Sequence, residues 1–416
     1  MGTLFLKECK IHIKSLLFLV YIFLFSLFFL TQFWDFPVVV KPKENANGYG
    51  WTTSSDPKII MNKTIDTLLG EFNNNRYRTY PIGFYKEVKL NEKKANQVIE
   101  IIEEIIGLPI EEVETLYLDY WNKAPKLTGD SEFDMANFQK YEREHPFEMP
   151  LAENMTYEKF ADSLMKVDKI LGGGSYYHKD NLQKNAYIPM TYEQALEEYE
   201  SIIRDDKVIG AYARLFCDYM GLMLGILPVF LAVSRELRDK KSKAALVIYS
   251  KKYSSLKIVF ARYSAIFVVS LLPVVIFAII LLGYIGLQAD AIGVSLDILL
   301  YFSYLGSWLI PTAGFTISLG MFCSVFTGNI LGILVQAIIW IIAIFSGNIE
   351  GQAGFNFIPR FNCFGSYSSF KTIYESFVTN RIFYVIVSLV LFFITVIVFE
   401  QKRKGGLEFH GNLSSN

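Results

Sequence analysis

The sequence predicts an all-α polytopic membrane protein with six transmembrane helices. A large, mainly helical extracellular domain (α with minor β) is expected between the first and second spans. Three observations lead there. Apolar residues make up 52% of the 416-residue chain, against about 45–50% in soluble proteins, and they are gathered into long uncharged runs. One block, 35–207, contains no such run. Charge is segregated along the same boundary. Residues 35–207 hold 31 Asp/Glu and 21 Lys/Arg, net −10; the remainder holds 10 acids and 19 bases, net +9, which together give the −1 of the whole chain.

The first span is expected at 15–34, SLLFLVYIFLFSLFFLTQFW, behind a surface segment carrying Lys7, Lys10 and Lys14. About 20 apolar residues cross the roughly 30 Å of hydrocarbon. A secretory signal shares the basic start and apolar centre. This run is too long for one, and Phe33, Trp34 and Phe36 follow where small residues would mark cleavage. The span is therefore expected to be retained.

The inserted block, 35–207, is long enough for a folded domain. In 91–106, Val98, Ile101, Ile102, Ile105 and Ile106 recur at helical spacing, with Asn91 as N-cap and Gly107 as stop. Residues 157–171 read as a second helix, ended by Gly172, Gly173 and Gly174. A third, 191–207, opens on the Thr-x-x-Gln capping box of Thr191 and Gln194 and is expected to run into the second span. The alternating stretch 76–90 suggests a strand or two. The acids Glu103, Glu104, Glu111, Glu112 and Glu114 suit a solvated helix face, or attraction of cations.

Five further spans are expected at about 212–233, 258–284, 296–321, 328–347 and 381–399. An even count puts both ends of the chain on one side. The bases choose the side: Lys7, Lys10 and Lys14, the loop 234–257, and Lys402, Arg403 and Lys404 all fall together, while the loop 285–295 has no Lys or Arg. The expected location is a multi-pass cell-membrane protein with cytoplasmic N- and C-termini (405–416 a cytoplasmic tail) and 35–207 extracellular.

Catalytic and metal signatures do not stand out. The four histidines are scattered, no H-E-x-x-H, C-x-x-C or G-x-S-x-G occurs, and no cysteine falls in 35–207. L-G-G-G-S at 171–175 is similar to the signature of ABC ATPases, but it follows a helix and no G-x-x-x-x-G-K-[ST] accompanies it. No catalytic residue, metal or cofactor is assigned to this chain, and no nucleic-acid partner is expected. Ionisable residues in spans mark functional sites. Arg214 and Asp218, one turn apart, are expected to pair, or Asp218 to line a substrate path; Arg262 is expected to snorkel or to pair with Glu236.

The loop 234–257 carries eight Lys/Arg against Glu236 and Asp239. A short apolar patch, 244–249, and a turn follow its basic start. An amphipathic helix of this kind suits a groove on a partner protein, or an anionic lipid surface. Here the chain resembles the membrane-spanning permease subunits of ABC type-2 exporters. Arg235-Glu236 resembles the family's dipeptide at the end of the second span. Lys241 to Leu246 falls where its coupling helix lies, and Tyr253 to Val259 resembles its turn and re-entry. A Gly-Thr common after the dipeptide is absent, and Lys252-Tyr253 replaces a frequent Pro. The likeness covers about 1–34 and 208–404.

The resemblance implies a pore of two permease subunits, homodimeric or heterodimeric, in the lipid membrane. Cytoplasmic ABC ATPase subunits would hold the ATP and Mg. It implies Arg235, Glu236, Arg238, Lys243, Leu246, Val247 and Tyr249 as the ATPase-coupling contact. The loop 348–380 would be an outer re-entrant segment. Its Phe357, Phe361 and Phe364, with Asp218, would line a substrate pathway, although aromatics there suit interfacial anchoring equally. An amphiphilic cargo, such as an antimicrobial peptide, lipid or drug, suits such a path. The rival readings are a non-transporting receptor or sensor whose outer domain binds a ligand or cell-wall component, and a secretion-accessory or phage-receptor protein.

Overall fold

The computed structural model describes residues 1–81, 85–345 and 356–405, without the side chains of Ala245 and Leu246. The chain is mostly helical (72%) with little sheet. It divides into two compact units, Val40–Tyr199 and the remainder. In chain order, α1 (Gly2–Ile13) and α2 (Leu16–Gln32) are bent by 69° at Ser15. That hydroxyl accepts from the Phe18 N–H and donates to the His12 carbonyl, capping one helix while closing the other.

In Val40–Tyr199, β1 (Trp51–Thr53) precedes α3 (Pro57–Asn74), which is capped by Asp56 with Pro57 in its first turn. The hairpin of β2 (Tyr77–Thr79) and β3 (Lys86–Val88) follows, antiparallel with Tyr77 opposite Val88. The 76–90 stretch thus forms the two short strands its alternation suggests. Next come α4 (Glu92–Ile106), α5 (Ile110–Lys123), α6 (Ser131–Glu144) and α7 (Tyr157–Leu171). A 3-10 turn, Lys179–Asn185, leads to β4 (Tyr187–Pro189), which pairs with β1. The sequence-read helices 91–106 and 157–171 form with the expected caps: the Asn91 side chain accepts from Lys94 N–H, and Gly107 and Gly172 close in the left-handed region that suits glycine.

One core holds this unit together. The stripe Val98, Ile101, Ile102, Ile105 and Ile106 of α4 meets Phe160, Leu164 and Val167 of α7 and Leu68 and Leu69 of α3. The triple glycine after α7 has a structural task. A Cβ on Gly174 would lie 2.6 Å from the Pro81 backbone, and the Gly174 carbonyl accepts from Tyr80 N–H. Glu103 and Glu104, read as a solvated face, are used locally: Glu103 accepts from Ile110 N–H, and Glu104 pairs with Lys166.

The boundary falls within α8 (Tyr192–Arg204), whose capping box forms as read: Thr191 N–H donates to the Gln194 side chain and Gln194 N–H to the Thr191 hydroxyl. α8 does not run into the next span. Lys207 and Val208 take positive φ, and α9 (Ile209–Leu224) starts anew.

The other unit continues with α10 (Leu227–Lys241), the short α11 (Ala244–Tyr249), α12 (Ser255–Ile292), α13 (Ile298–Thr327), α14 (Leu331–Phe345) and α15 (Tyr367–Arg403). Among the described residues, four helical stretches are long and apolar enough to cross a membrane: Ile209–Lys241, Ser255–Ile292, Ile298–Thr327 and Tyr367–Arg403. The bent α1–α2 pair makes a fifth. This is what a multi-pass membrane protein requires. Within 328–347, α14 has 15 residues, about 22 Å at 1.5 Å per residue. The loop expected over 348–380 is shorter than read, since α15 begins at Tyr367; 348–355, Phe355 included, lies outside the described residues, as do 406–416.

α13 lies at the centre. Thr312, Gly314, Thr316, Ser318, Gly320 and Ser324 are buried along it or packed closely. A Cβ on Gly320 would come within 2.9 Å of Val229, so its absence lets α10 approach. Small residues of this kind bring helices together where lipid removes the hydrophobic driving force.

Candidate functional site

Two buried ion networks occupy this helical unit, with a short exposed helix beside the first. α1, α10 and α12 supply the first network. Arg235 donates to Glu8 from Nε and Nη2 (2.8 Å for the latter) and to Asp239 from Nη1. Arg262 donates to Glu236 at 2.8 Å and to Asp239, and its Nε lies 3.9 Å from Glu8. It also faces the Phe399 ring at 5.6 Å. Arg262 therefore does pair with Glu236, as read, but within a set of five. Glu8, on the surface segment of the sequence reading, is 4% exposed. Its spacing gave no hint of a partner 227 residues away.

The expected coupling residues separate into two groups. Arg235 and Glu236 turn inward and serve this network. Arg238, Lys243 and Val247 are exposed, Val247 at 58%. Leu246 lies outside the described side chains. Tyr249 packs on Phe399, ring centroids 5.5 Å apart. The end of α15 then clamps the segment after α11. The Arg403 guanidinium donates to the carbonyls of Tyr249 (2.8 Å), Tyr253 (2.6 Å) and Lys251. Ser255 donates to Glu400. Lys240 and Lys402 reach the Gly328 and Phe326 carbonyls, each closing on the end of α13. The basic loop is thus tied at both ends.

The second network corrects the expected pairing of Arg214 with Asp218. Arg214 pairs with Asp206, which precedes α9, and donates to the Gly365 carbonyl at 2.6 Å. The rings of Phe370, Phe361, Tyr367 and Tyr304 surround it at 4.9–6.0 Å. Asp218 instead receives Arg360 Nε at 3.0 Å and Phe361 N–H at 2.7 Å. The turn at Lys207 and Val208 brings Asp206 to Arg214; helical spacing alone does not reveal it. Asp218, Phe357 and Phe361 are buried, and Phe364 packs edge-on against Tyr212 at 4.7 Å. In this conformation Asp218, Phe357 and Phe361 fill the interior, and Phe364 is half-buried.

Arg381 escaped the sequence reading because its span was placed from 381 onward. α15 begins 14 residues earlier, at Tyr367, so Arg381 lies well inside a helix. Its guanidinium donates to neutral acceptors: the Asn380 side chain, Thr312 Oγ1 at 2.9 Å and the Trp308 and Phe357 carbonyls.

The break between α9 and α10 at Gly225 and Ile226 frees a carbonyl. Gln336 of α14 and Thr316 of α13 donate to the Gly225 oxygen, and Trp340 Nε1 donates to the Leu222 carbonyl at 2.8 Å. Buried neighbours re-satisfying a broken span are what an apolar surrounding demands. Among the described residues no group of three or more His, Cys, Asp or Glu is placed to hold a metal ion. No protein-family model, curated protein or solved structure matches the chain.

Proposed function

We propose that the chain is the membrane-spanning permease subunit of an ATP-driven exporter of the ABC type-2 kind. A separate cytoplasmic ATPase would supply the energy, and an amphiphile would be the cargo. The proposal takes 328–347 as the fifth of six spans. It places the N-terminus, 234–257 and the C-terminus in the cytoplasm, following the bases, and 35–207 outside. A second permease copy or a relative would complete the pore.

The observation that carries this reading is the tethering of α11. The helix exposes Val247, with Arg238 of α10 and Lys243 just before it; buried ions join α10, which leads into it, to α1 and α12, and Arg403 of α15 holds the carbonyls from Tyr249 to Tyr253 that follow it. A partner pressing on α11 would therefore act on four helices through short polar links. A switch of this kind needs a partner with unequal affinity for two states.

The test is capture of the detergent-solubilised chain from its native membrane, wild type beside Arg238→Glu/Val247→Asp. Both changes lie on exposed side chains, so the fold is expected to survive. Co-purification of an ATPase with the wild type and its loss in the variant would support the reading. Failure to capture any ATPase, even after mild crosslinking, would refute it and leave the receptor reading standing.

A further inference from the structure

The 69° bend at Ser15 turns α1 toward the plane perpendicular to α2. No residue of α2 is charged, and Leu16, Leu19, Phe23, Leu27 and Leu30 stand exposed along it. A contiguous apolar surface of this size suits hydrocarbon. α1 has two faces. Glu8 and His12 are buried on one, where Glu8 is held by Arg235 of α10. The other face is exposed. Lys7, Lys10 and the C-cap Lys14 follow at spacings of three and four, so they share one edge of it. Leu6 and Ile13, 64% and 48% exposed, form the adjoining edge.

These three lysines are exposed and make no ion pair or hydrogen bond from their ammoniums among the described residues. Other bases near the ends of α10 and α15 are committed: Lys240, Lys402 and Arg403 close on carbonyls, and Lys404 pairs with Glu400. The one acid on α1 is Glu8, already bound to Arg235 on the buried face. The network behind α1 has a net of −1. Three lysines against that −1 leave +2, and the surplus stands on the exposed face. A helix lying along an interface, with an apolar edge beside a lysine edge, is drawn to anionic headgroups. Each lysine near such a surface strengthens the attraction about fivefold.

We infer that the exposed face of α1 is a docking surface for anionic phospholipid, Lys7, Lys10 and Lys14 donating to headgroup phosphates and the acyl chains lying against Leu6 and Ile13. A zwitterionic phospholipid carries its own compensating cation, and inorganic phosphate has no chain to meet the apolar edge. Lipid seated there would hold α1, and Glu8 with it, against α10 and α12. The inference goes beyond the exporter reading: it needs α2 to enter a membrane and is independent of any ATPase.

The experiment uses the full chain in dodecyl maltoside, with no partner protein, titrated with phosphatidylglycerol or phosphatidylcholine. Native mass spectrometry counts the lipids retained, and the melting temperature is read beside it. Wild type is expected to retain phosphatidylglycerol roughly tenfold or more over phosphatidylcholine and to melt higher with it. Lys7→Gln/Lys10→Gln/Lys14→Gln should lose that preference. Leu6→Ser/Ile13→Ser, which keeps the lysines, should retain less phosphatidylglycerol. Lys251→Gln/Lys252→Gln/Lys257→Gln, an equal loss of charge elsewhere, should behave as wild type. All these side chains are exposed, and the melting temperature without lipid checks that each variant is folded. Equal retention of the two lipids by wild type, or a preference that survives in the α1 lysine variant or falls equally in the control variant, would overturn the inference. So would phosphatidylglycerol retention that is unchanged in Leu6→Ser/Ile13→Ser or displaced by inorganic phosphate, since that marks a phosphate site and not a lipid one.

Discussion

Replacing Arg235 by Met tests whether the five-charge network is a linked unit. Two arginines face three carboxylates there, a net of −1. Arg235→Met leaves three carboxylates around Arg262 alone, a net of −2. Glu8 loses both hydrogen bonds and keeps only Arg262 Nε at 3.9 Å. Arg235 and Glu8 are 7% and 5% exposed in their side chains, so solvent screens little. Removing one partner of a buried pair costs about 3–5 kcal/mol. Glu8→Gln is milder. Glutamine still accepts from Arg235, the network becomes neutral, and a charged hydrogen bond is exchanged for a neutral one at about 1–2 kcal/mol. The combination Glu8→Gln/Arg235→Met restores the net of −1. It should be more stable than Arg235→Met alone by about 2 kcal/mol, within the coupling range of contacting residues. SDS-driven unfolding in mixed micelles, followed by tryptophan fluorescence, measures all three. If the double variant were destabilised by the sum of the two single losses, the network reasoning would fail.

Arg403→Ala removes three hydrogen bonds from the segment after α11, and tryptic cleavage after Lys251 or Lys252 should quicken about tenfold, the effect of roughly 1.4 kcal/mol of easier local opening; an unchanged rate would mean the clamp holds nothing. Gly225→Ala places a methyl 2.6 Å from Ile358 Cδ1 and 3.2 Å from the Gly221 carbonyl, so a loss of about 1–3 kcal/mol is expected in the same unfolding assay. In the Val40–Tyr199 unit, burial pushes the Asp66 carboxyl above its ordinary range, against the opposing pull of Lys63. A carboxyl raised on folding favours its protonated form in the native state, so its contribution is present at low pH and lost as pH rises through the folded value. Asp66→Asn should therefore melt higher than wild type at pH 7 and converge with it near pH 4; a lower melting temperature at both would contradict this sign.

Local signals carried the Val40–Tyr199 unit well. The α4 stripe, its Asn91 and Gly107 ends, the α7 stop and the Thr191–Gln194 box all depend on residues within one or two turns, and each forms. The apolar runs located the long helices to within a few residues at some ends, and missed where polar residues extend them, as at Tyr367–Asn380 of α15. Charge pairing was the weak point. Arg214 and Asp218 have ideal spacing, yet each takes a partner that only tertiary structure supplies, 8 and 142 residues away. Glu8 and Glu142 look like ordinary surface acids on their own helices. Nothing in their neighbours predicts burial, because the residues that bury them belong to other elements. The resemblance implies an outward contact for Arg235 and Glu236, while the sequence also offers Glu236 as the partner of Arg262; a dipeptide at a helix end can face inward with equal local cost, and here both turn inward.

The gap between α9 and α10 also bears on how the chain is made. The Gly225 carbonyl and the Gln336 amide that serves it are 111 residues apart. At about 5–20 residues per second, the ribosome needs roughly 5–20 s to deliver the donor after the acceptor has emerged. Were residues 209–241 released into lipid at once, that oxygen would wait without a partner, at a cost of several kcal/mol. If 209–241 spans a membrane, the broken helix is expected to stay within the insertion machinery, or at its wet edge, until α13 and α14 arrive. Stalling translation between residues 260 and 330 should trap it there.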